Sequence, residues 1–303
     1  MSRPTTEPVP TPQPGPRRAA AVHAAARASR RLHAAGVLRG LPSGVVRQLA
    51  GRIASDGAVV YRNAAGHVLE ADLGDYMERS GYFGAHGGQL IRFVRSFLRP
   101  GDWAIDAGAN VGLMTSPMAA AVGAGGAVWA FEPFPRNVER LRALKDVNSL
   151  SQLRIFPVAL AASAATAELR LSAEPGGSGF PSFVAPWAGG ERVEVATCTL
   201  DELVEAHAPD CPLRLLKIDV EGAEVELLAG ARATLSGPRP TVLCEFHDAL
   251  LRAAGSSAEG LLAAFADAGY VPCPPFGRPR GSLEGAVVDL LLVPEERARV
   301  SGG

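Results

Sequence analysis

From Trp103 onward the chain alternates short apolar runs with amphipathic ones, and that alternation limits the fold more than any other feature. The runs "WAIDAG" (103–108), "AVWAFEP" (127–133), "LRIFPVAL" (153–160), "LRLLKID" (213–219) and "PTVLCEF" (240–246) have the length and apolar content of strands buried on both faces. Between and after them, residues 112–123, 135–148, 224–235 and 258–268 carry apolar residues at helical spacing. Alternating strands and helices predict a parallel sheet with helices on both faces. The last two runs, "GYVPCP" (269–274) and "GAVVDLLLVP" (285–294), have no helix between them. They predict an antiparallel pair at one edge, and so a mixed sheet.

The 303 residues are 47% hydrophobic and 20% charged, with a formal net charge of −1, so one large core needs no staples. This neutral balance argues against a nucleic-acid partner, which draws a strong basic patch. No run approaches the ~18 apolar residues of a membrane span. Cys198, Cys211, Cys244 and Cys273 form no C-x-x-C pair and read as buried thiols in a reducing, cytoplasmic setting. Residues 1–40 are Pro-, Ala- and Arg-rich and predict a disordered or partly helical extension. Between Glu7 and Asp56 there are eight Arg and no acid, and His23, Arg27, Arg30 and Arg31 break any signal-peptide core. Residues 41–100 predict a helical cap, with Leu90, Ile91, Val94, Phe97 and Leu98 on one helical face, and residues 101–297 form the main domain.

In open parallel sheets, ligands bind beyond the carboxyl ends of the strands, where strand order reverses. The first strand ends in Asp106-Ala107-Gly108-Ala109-Asn110-Val111-Gly112. Gly108 and Gly112 permit a tight turn and a close ligand approach. The loop is neither G-x-G-x-x-G nor G-x-x-x-x-G-K-[ST], so it suits a nucleoside without a pyrophosphate. Glu132 ends the second strand about 20 residues on, where such folds place an acid on the ribose hydroxyls. Phe131, Pro133 and Phe134 either flank an adenine or belong to the core. Lys217, Asp219 and Glu221 alternate at the end of the fourth strand, and Glu245 and His247 end the fifth. All five converge on one cleft in this topology. Glu224 and Glu226 read as first-turn carboxylates that suit a helix dipole. Asp219, Glu221, Glu245 and His247 show no metal-ligand spacing signature, and no metal is expected.

From about Tyr76 to Tyr270 the chain resembles the FkbM-type family of S-adenosylmethionine-dependent methyltransferases. The matching runs are "GDWAIDAGANVG" (101–112), "AFEPFPRNVERL" (130–141), "PVAL" (157–160), "TLDEL" (199–203) and "LLKIDVEGAEVELLAGA" (215–231), the last being the most specific. The resemblance covers about two-thirds of the chain and implies the Rossmann-like class I methyltransferase fold, a mostly parallel seven-stranded α/β sheet whose last strand is antiparallel. It implies S-adenosyl-L-methionine as donor and O-methylation of a small metabolite, sugar or glycan, or polyketide. The implied donor-binding set is Asp106, Gly108, Ala109, Asn110, Gly112, Glu132, Pro133, Asn148, Ala159 and Asp219. Glu132 would hold the ribose, and Asp219 would sit beside the methionine moiety. Asp146 stands where the pattern has Asn, a peripheral departure.

A hydroxyl acceptor must lose a proton, so a base is needed. The candidates are His247, with its near-neutral ordinary pKa, and Asp219. Lys217 would pair with Asp219, stabilise a developing alkoxide or balance the carboxylates, and Glu221 completes the catalytic set. The D-V-E-G run replaces the N-P-P-Y or D-P-P-Y of base-amine methyltransferases, and Pro272-Cys273 lies too late to be a cytosine nucleophile. Pro175–Arg192, with Phe180, Phe183 and Trp187, is expected to wall the acceptor. Two other readings stay open. One is a nicotinamide-dependent oxidoreductase, against which the missing third glycine argues. The other is a non-catalytic cofactor-binding module.

Overall fold

The computed structural model describes residues 16–34, 58–84, 87–171, 182–184, 190–276 and 281–300. The chain opens with helix α1 (Pro16–Ala34), a hairpin of β1 (Val59–Arg62) and β2 (Val68–Ala71), and helices α2 (Tyr76–Phe83) and α3 (Gly88–Phe97). Then come β3 (Trp103–Ala107), α4 (Thr115–Val122), β4 (Ala127–Phe131), α5 (Pro135–Val147) and β5 (Leu153–Phe156). Strands β6 (Ala159–Leu160), β7 (Ala165–Arg170) and β8 (Arg192–Cys198) follow. The remainder is α6 (Leu200–His207), β9 (Leu213–Ile218), α7 (Glu224–Ala229), α8 (Arg232–Ser236), β10 (Thr241–His247), α9 (Asp248–Ala253), α10 (Ala258–Asp267), β11 (Tyr270–Cys273), β12 (Val287–Pro294) and α11 (Glu295–Val300).

The main sheet has seven strands in the order β11-β12-β10-β9-β3-β4-β5. Strands β10, β9, β3, β4 and β5 are parallel neighbours, and β12 is antiparallel to both β10 and β11. This is the predicted mixed sheet. The last strand slots inside its partner, leaving β11 at the edge. Every residue of β3 and of β4 is buried. Successive side chains alternate between the two faces. Ala104, Val128, Leu215 and Leu243 join one core with Met118 and Leu141. Ile105, Trp129, Leu216 and Phe246 join the other with Leu227 and Phe265. The chain runs outward from β3 to β5 and then returns through β9 to β10, so the carboxyl ends of β3 and β9 flank the point of reversal.

Two predicted elements are split. The run 153–160 divides at Pro157, which has no N–H to donate, and β6 leaves to pair with β8 in a three-stranded sheet. The helix 224–235 divides at Gly230-Ala231. A Cβ on Gly230 would meet the Ala161 carbonyl oxygen at 2.0 Å, so the backbone is pressed against its neighbour. Asp201 then starts α8, accepting from Ala233 N and Thr234 N, each at 2.8 Å. Thr199 and Glu202 form a capping box at α6.

The segment before β3 is more than a helical cap, because it contains the β1–β2 hairpin. Residues 1–15 and 35–57 of the predicted extension and cap lie outside the described residues. Two devices pin the segment to α5. Asn148 mimics a strand, its Oδ1 accepting from Val68 N at 2.7 Å and its Nδ2 donating to Val68 O at 2.8 Å. Arg136 pairs with Asp75 at 3.1 Å and Glu78 at 2.9 Å, both acids being buried. Asp75 also caps α2 by accepting from Met77 N and Glu78 N. Gly81 interrupts α2 at a helix-propensity cost of about 1 kcal/mol, and a Cβ there would meet Leu113 at 2.5 Å and the Tyr61 hydroxyl at 2.9 Å.

Candidate active site

The cleft opens at the reversal point and encloses about 940 Å³, counting the part open to solvent. Asp106 on β3 and Lys217 on β9 are directly opposed in the sheet register. Lys217 is 5% exposed and Asp106 is fully buried. The ammonium donates to Gly108 O at 3.0 Å and pairs with Asp106 Oδ1 and Asp219 Oδ2, each at 3.2 Å. One hydrogen bond and two ion pairs thus hold the ammonium. Burial alone would lower the Lys217 pKa, but the two carboxylates overcome it and raise it. The second Asp106 oxygen accepts from Thr115 Oγ1 at 2.6 Å.

Gly108 sits where the two chains cross. Its φ is +78°, and a Cβ would come within 1.8 Å of the Asp219 carbonyl oxygen. No side chain fits. Gly112 has φ +87°, and its missing Cβ makes room for Leu144 and Leu141 of α5. It therefore serves helix packing, not the close ligand approach read from the sequence. Between them Asn110 takes φ +49°, and its Oδ1 accepts from Val111 N at 2.8 Å.

Glu132 closes this loop. Its Oε2 accepts from Asn110 N at 2.7 Å and its Oε1 from Phe134 N at 2.9 Å. Burial pushes its pKa up to about 7, against the pull of those two amides. Each oxygen keeps a further lone pair, and the side chain lines the cleft. Ala109, Pro133 and Ala159 line it too, with Phe131, Val158, Leu160 and Met77 as apolar walls.

The other end of the cleft is acidic. Carboxylate oxygens of Asp219, Glu221 and Glu245 all lie within 4.8 Å of one another. Glu245 opposes Asp289 across the β10–β12 pair. Burial, then Asp219 and Glu224, drives the Glu221 pKa up. Burial, then Asp219, Glu221 and Asp289, drives that of Glu245 up. Burial and Asp219 push Asp289 up to about 6. Glu221 stands in a left-handed turn at φ +52°, followed by Gly222 at +102°, and Ser182 Oγ donates to its carbonyl at 2.7 Å. Glu224 accepts from Gly222 N at 3.2 Å, closing that turn, which fits its reading as a first-turn carboxylate.

Several sequence expectations change here. Lys217 is buried and held by Gly108 O, Asp106 and Asp219, so it ties the ends of β3 and β9 together. His247 does not line the cleft; its Nδ1 caps α9, accepting from Leu250 N at 3.5 Å. Asn148 lies at the far end of α5, bound to β2, and does not line the cleft either. Asp106 lies beneath the cleft and acts through Lys217. Of the expected acceptor wall, Phe183 lines the cleft, while Phe180 and Trp187 fall outside the described residues. Sequence reasoning missed Met77, Leu113 and Asp289. They come from α2, from the turn before α4 and from β12, and none sits in a strand-end motif.

The model of the family described as "Methyltransferase FkbM domain" matches residues 106–272. Among solved structures, the methyltransferase FkbM of Methylobacillus flagellatus KT is 18% identical, with a TM-score of 0.38 over 73% of this chain. The chain spans only 55% of that protein's length. Aeropyrum pernix fibrillarin, solved with natively bound S-adenosyl-L-methionine, is 11% identical, with a TM-score of 0.44 over 78% of this chain and 83% of its own. An S-adenosylmethionine-dependent O-methyltransferase of Thermotoga maritima is 14% identical, with a TM-score of 0.39 over 78% and 77%. No curated protein matches the chain.

Proposed function

The chain belongs to the FkbM methyltransferase family, and on that premise we propose that it methylates a hydroxyl of a small metabolite, sugar or glycan, or polyketide, with S-adenosyl-L-methionine as donor. When bound, the donor supplies an electrophilic methyl group on a sulfonium. The residues present fit it. Gly108 leaves the loop without a side chain, Glu132 offers lone pairs to ribose hydroxyls, and Phe131, Val158 and Leu160 give an apolar slot beside Glu132 for a flat base. Asp219, anchored by Lys217, faces the methionine end.

The chain's own work is orientation and proton removal. The observation that carries the reading is the carboxyl group crowd of Asp219, Glu221 and Glu245 in the same cleft as the glycine loop. Burial, and after it the neighbouring carboxylates, favours the protonated form, so Glu221 and Glu245 titrate above ordinary carboxylates and nearer to the operating range of a base. We assign the proton-accepting role to this pair in place of His247. The acceptor O–H donates its proton to the pair as the oxygen gains the methyl group.

The test is titration of the full chain with S-adenosylhomocysteine and, separately, with NAD, followed by transfer of radiolabelled methyl to a panel of hydroxylated acceptors. Binding of S-adenosylhomocysteine and alkali-stable labelling of a hydroxyl are expected. Binding of NAD alone would overturn the donor, and labelling confined to amines would overturn the acceptor class.

A further inference from the structure

We propose that a second cavity, between α1, α2 and α3, binds a phosphate monoester of a small organic molecule. It encloses about 600 Å³, counting its open side. Three arginines line it: Arg30 of α1, and Arg92 and Arg95 of α3. None of its described lining residues is acidic.

Arg30 is the most informative of them. It is half-buried, its guanidinium lies 5.0 Å from the centres of both the Tyr61 and Tyr82 rings, and it donates to the Tyr82 carbonyl. The position is therefore fixed before any ligand arrives. Yet no carboxylate pairs with it among the described residues. Burial lowers its pKa, tyrosine contacts oppose this, and Arg27 adds like charge. A desolvated cation without a counter-ion is costly, and an incoming oxyanion would supply one. Guanidinium groups match phosphate oxygens in a two-pronged geometry.

The cavity also reaches a helix N-terminus. Gly88, the first residue of the ten-residue helix α3, lines it. No side chain caps that helix, and its N-cap Gly87 has φ +60°. Amides at such a terminus favour an anion. The remaining wall includes Tyr61 and Leu113. That apolar surface suits an organic ester better than free phosphate. Leu113 also lines the donor cleft, so this ligand sits one side chain away from it. The inference stands on the cavity alone and does not depend on the hydroxyl acceptor proposed above.

Titration of the full chain at low ionic strength with phenyl phosphate and with inorganic phosphate tests it. Phenyl phosphate is expected to bind at least five-fold more tightly than inorganic phosphate, and Arg95→Ala to weaken both at least ten-fold. S-adenosylhomocysteine titration and a melting curve report whether Arg95→Ala is folded. Arg30→Met should have the same effect on phosphate, and if it fails to fold, the exposed Arg95 alone decides. No binding of either probe to the wild-type chain, or undiminished binding to Arg95→Ala, would overturn the site. Equal binding of the two probes would overturn the ester.

Discussion

The two ends of the cleft hold similar residues in opposite electrostatic conditions. Where β3 meets β9, one buried ammonium serves two carboxylates and a carbonyl, and every short-range charge has a partner. Where β9 meets β10, Asp219, Glu221 and Glu245 crowd together with Asp289 opposite Glu245, and Lys217 offsets only part of the burial and repulsion. The first end is a clip that fixes geometry. The second stores repulsion that a proton relieves, which suits a group that must take one up. A satisfied buried ion is expensive to disturb, whereas an under-compensated one is easy to titrate.

Breaking the clip should have the largest effect. Lys217→Met leaves Asp106 buried without its cation and should cost about 3–5 kcal/mol of stability, read as a lowered denaturant midpoint. At the acidic end, Glu245→Gln should keep the fold and lower kcat about a hundred-fold, within the range of general-base losses. The pH profile separates this from a structural role. In the wild type the rate should rise as Glu221 and Glu245 lose their proton, and in Glu245→Gln that limb should move to lower pH. An unmoved limb would remove the pair from catalysis.

Stability gives the same contrast with the opposite sign. The unfolded chain releases protons from Glu at about pH 4.3, whereas the folded chain holds them on Glu221 and Glu245 to higher pH. Folding therefore retains protons, and stability should fall as pH rises from about 4.3 through the raised values. Melting curves of Glu245→Gln should show a shallower fall. Glu132→Gln keeps one oxygen acceptor and should weaken S-adenosylhomocysteine binding about ten-fold, or ~1.4 kcal/mol. At the small end, His247→Phe should change kcat less than about two-fold, since His247 does not line the cleft, and its cost of about 1 kcal/mol should fall on stability through the lost α9 cap. A chelator should leave the rate unchanged; loss restored by magnesium would recast the three carboxylates as ligands.

Much of the fold was legible because burial on both faces forces strands into unbroken apolar runs, as in Trp103–Ala107 and Leu213–Ile218. The loop from Gly108 to Gly112 and the acid Glu132 were legible because each follows a strand end. The hairpin at Val59–Ala71 escaped because its strands are four residues long and packed by distant partners such as Asn148. His247 and Asn148 were misplaced for a related reason. Position along a strand or helix does not say which way the side chain leaves, and both side chains are occupied by backbone groups.

By itself, the sequence determined the alternation of elements, the antiparallel strand near one edge and the motif that marks the family, since periodicity and glycine tolerance are local properties. Only the tertiary structure decided the roles of the charges. Lys217, Asp219 and Glu221 are equally spaced in the chain, but β3 and its loop bring Asp106 and Gly108 to the first, while β10 brings Glu245 toward the last. Whether a buried charge anchors the fold or titrates depends on which neighbours its strand is given.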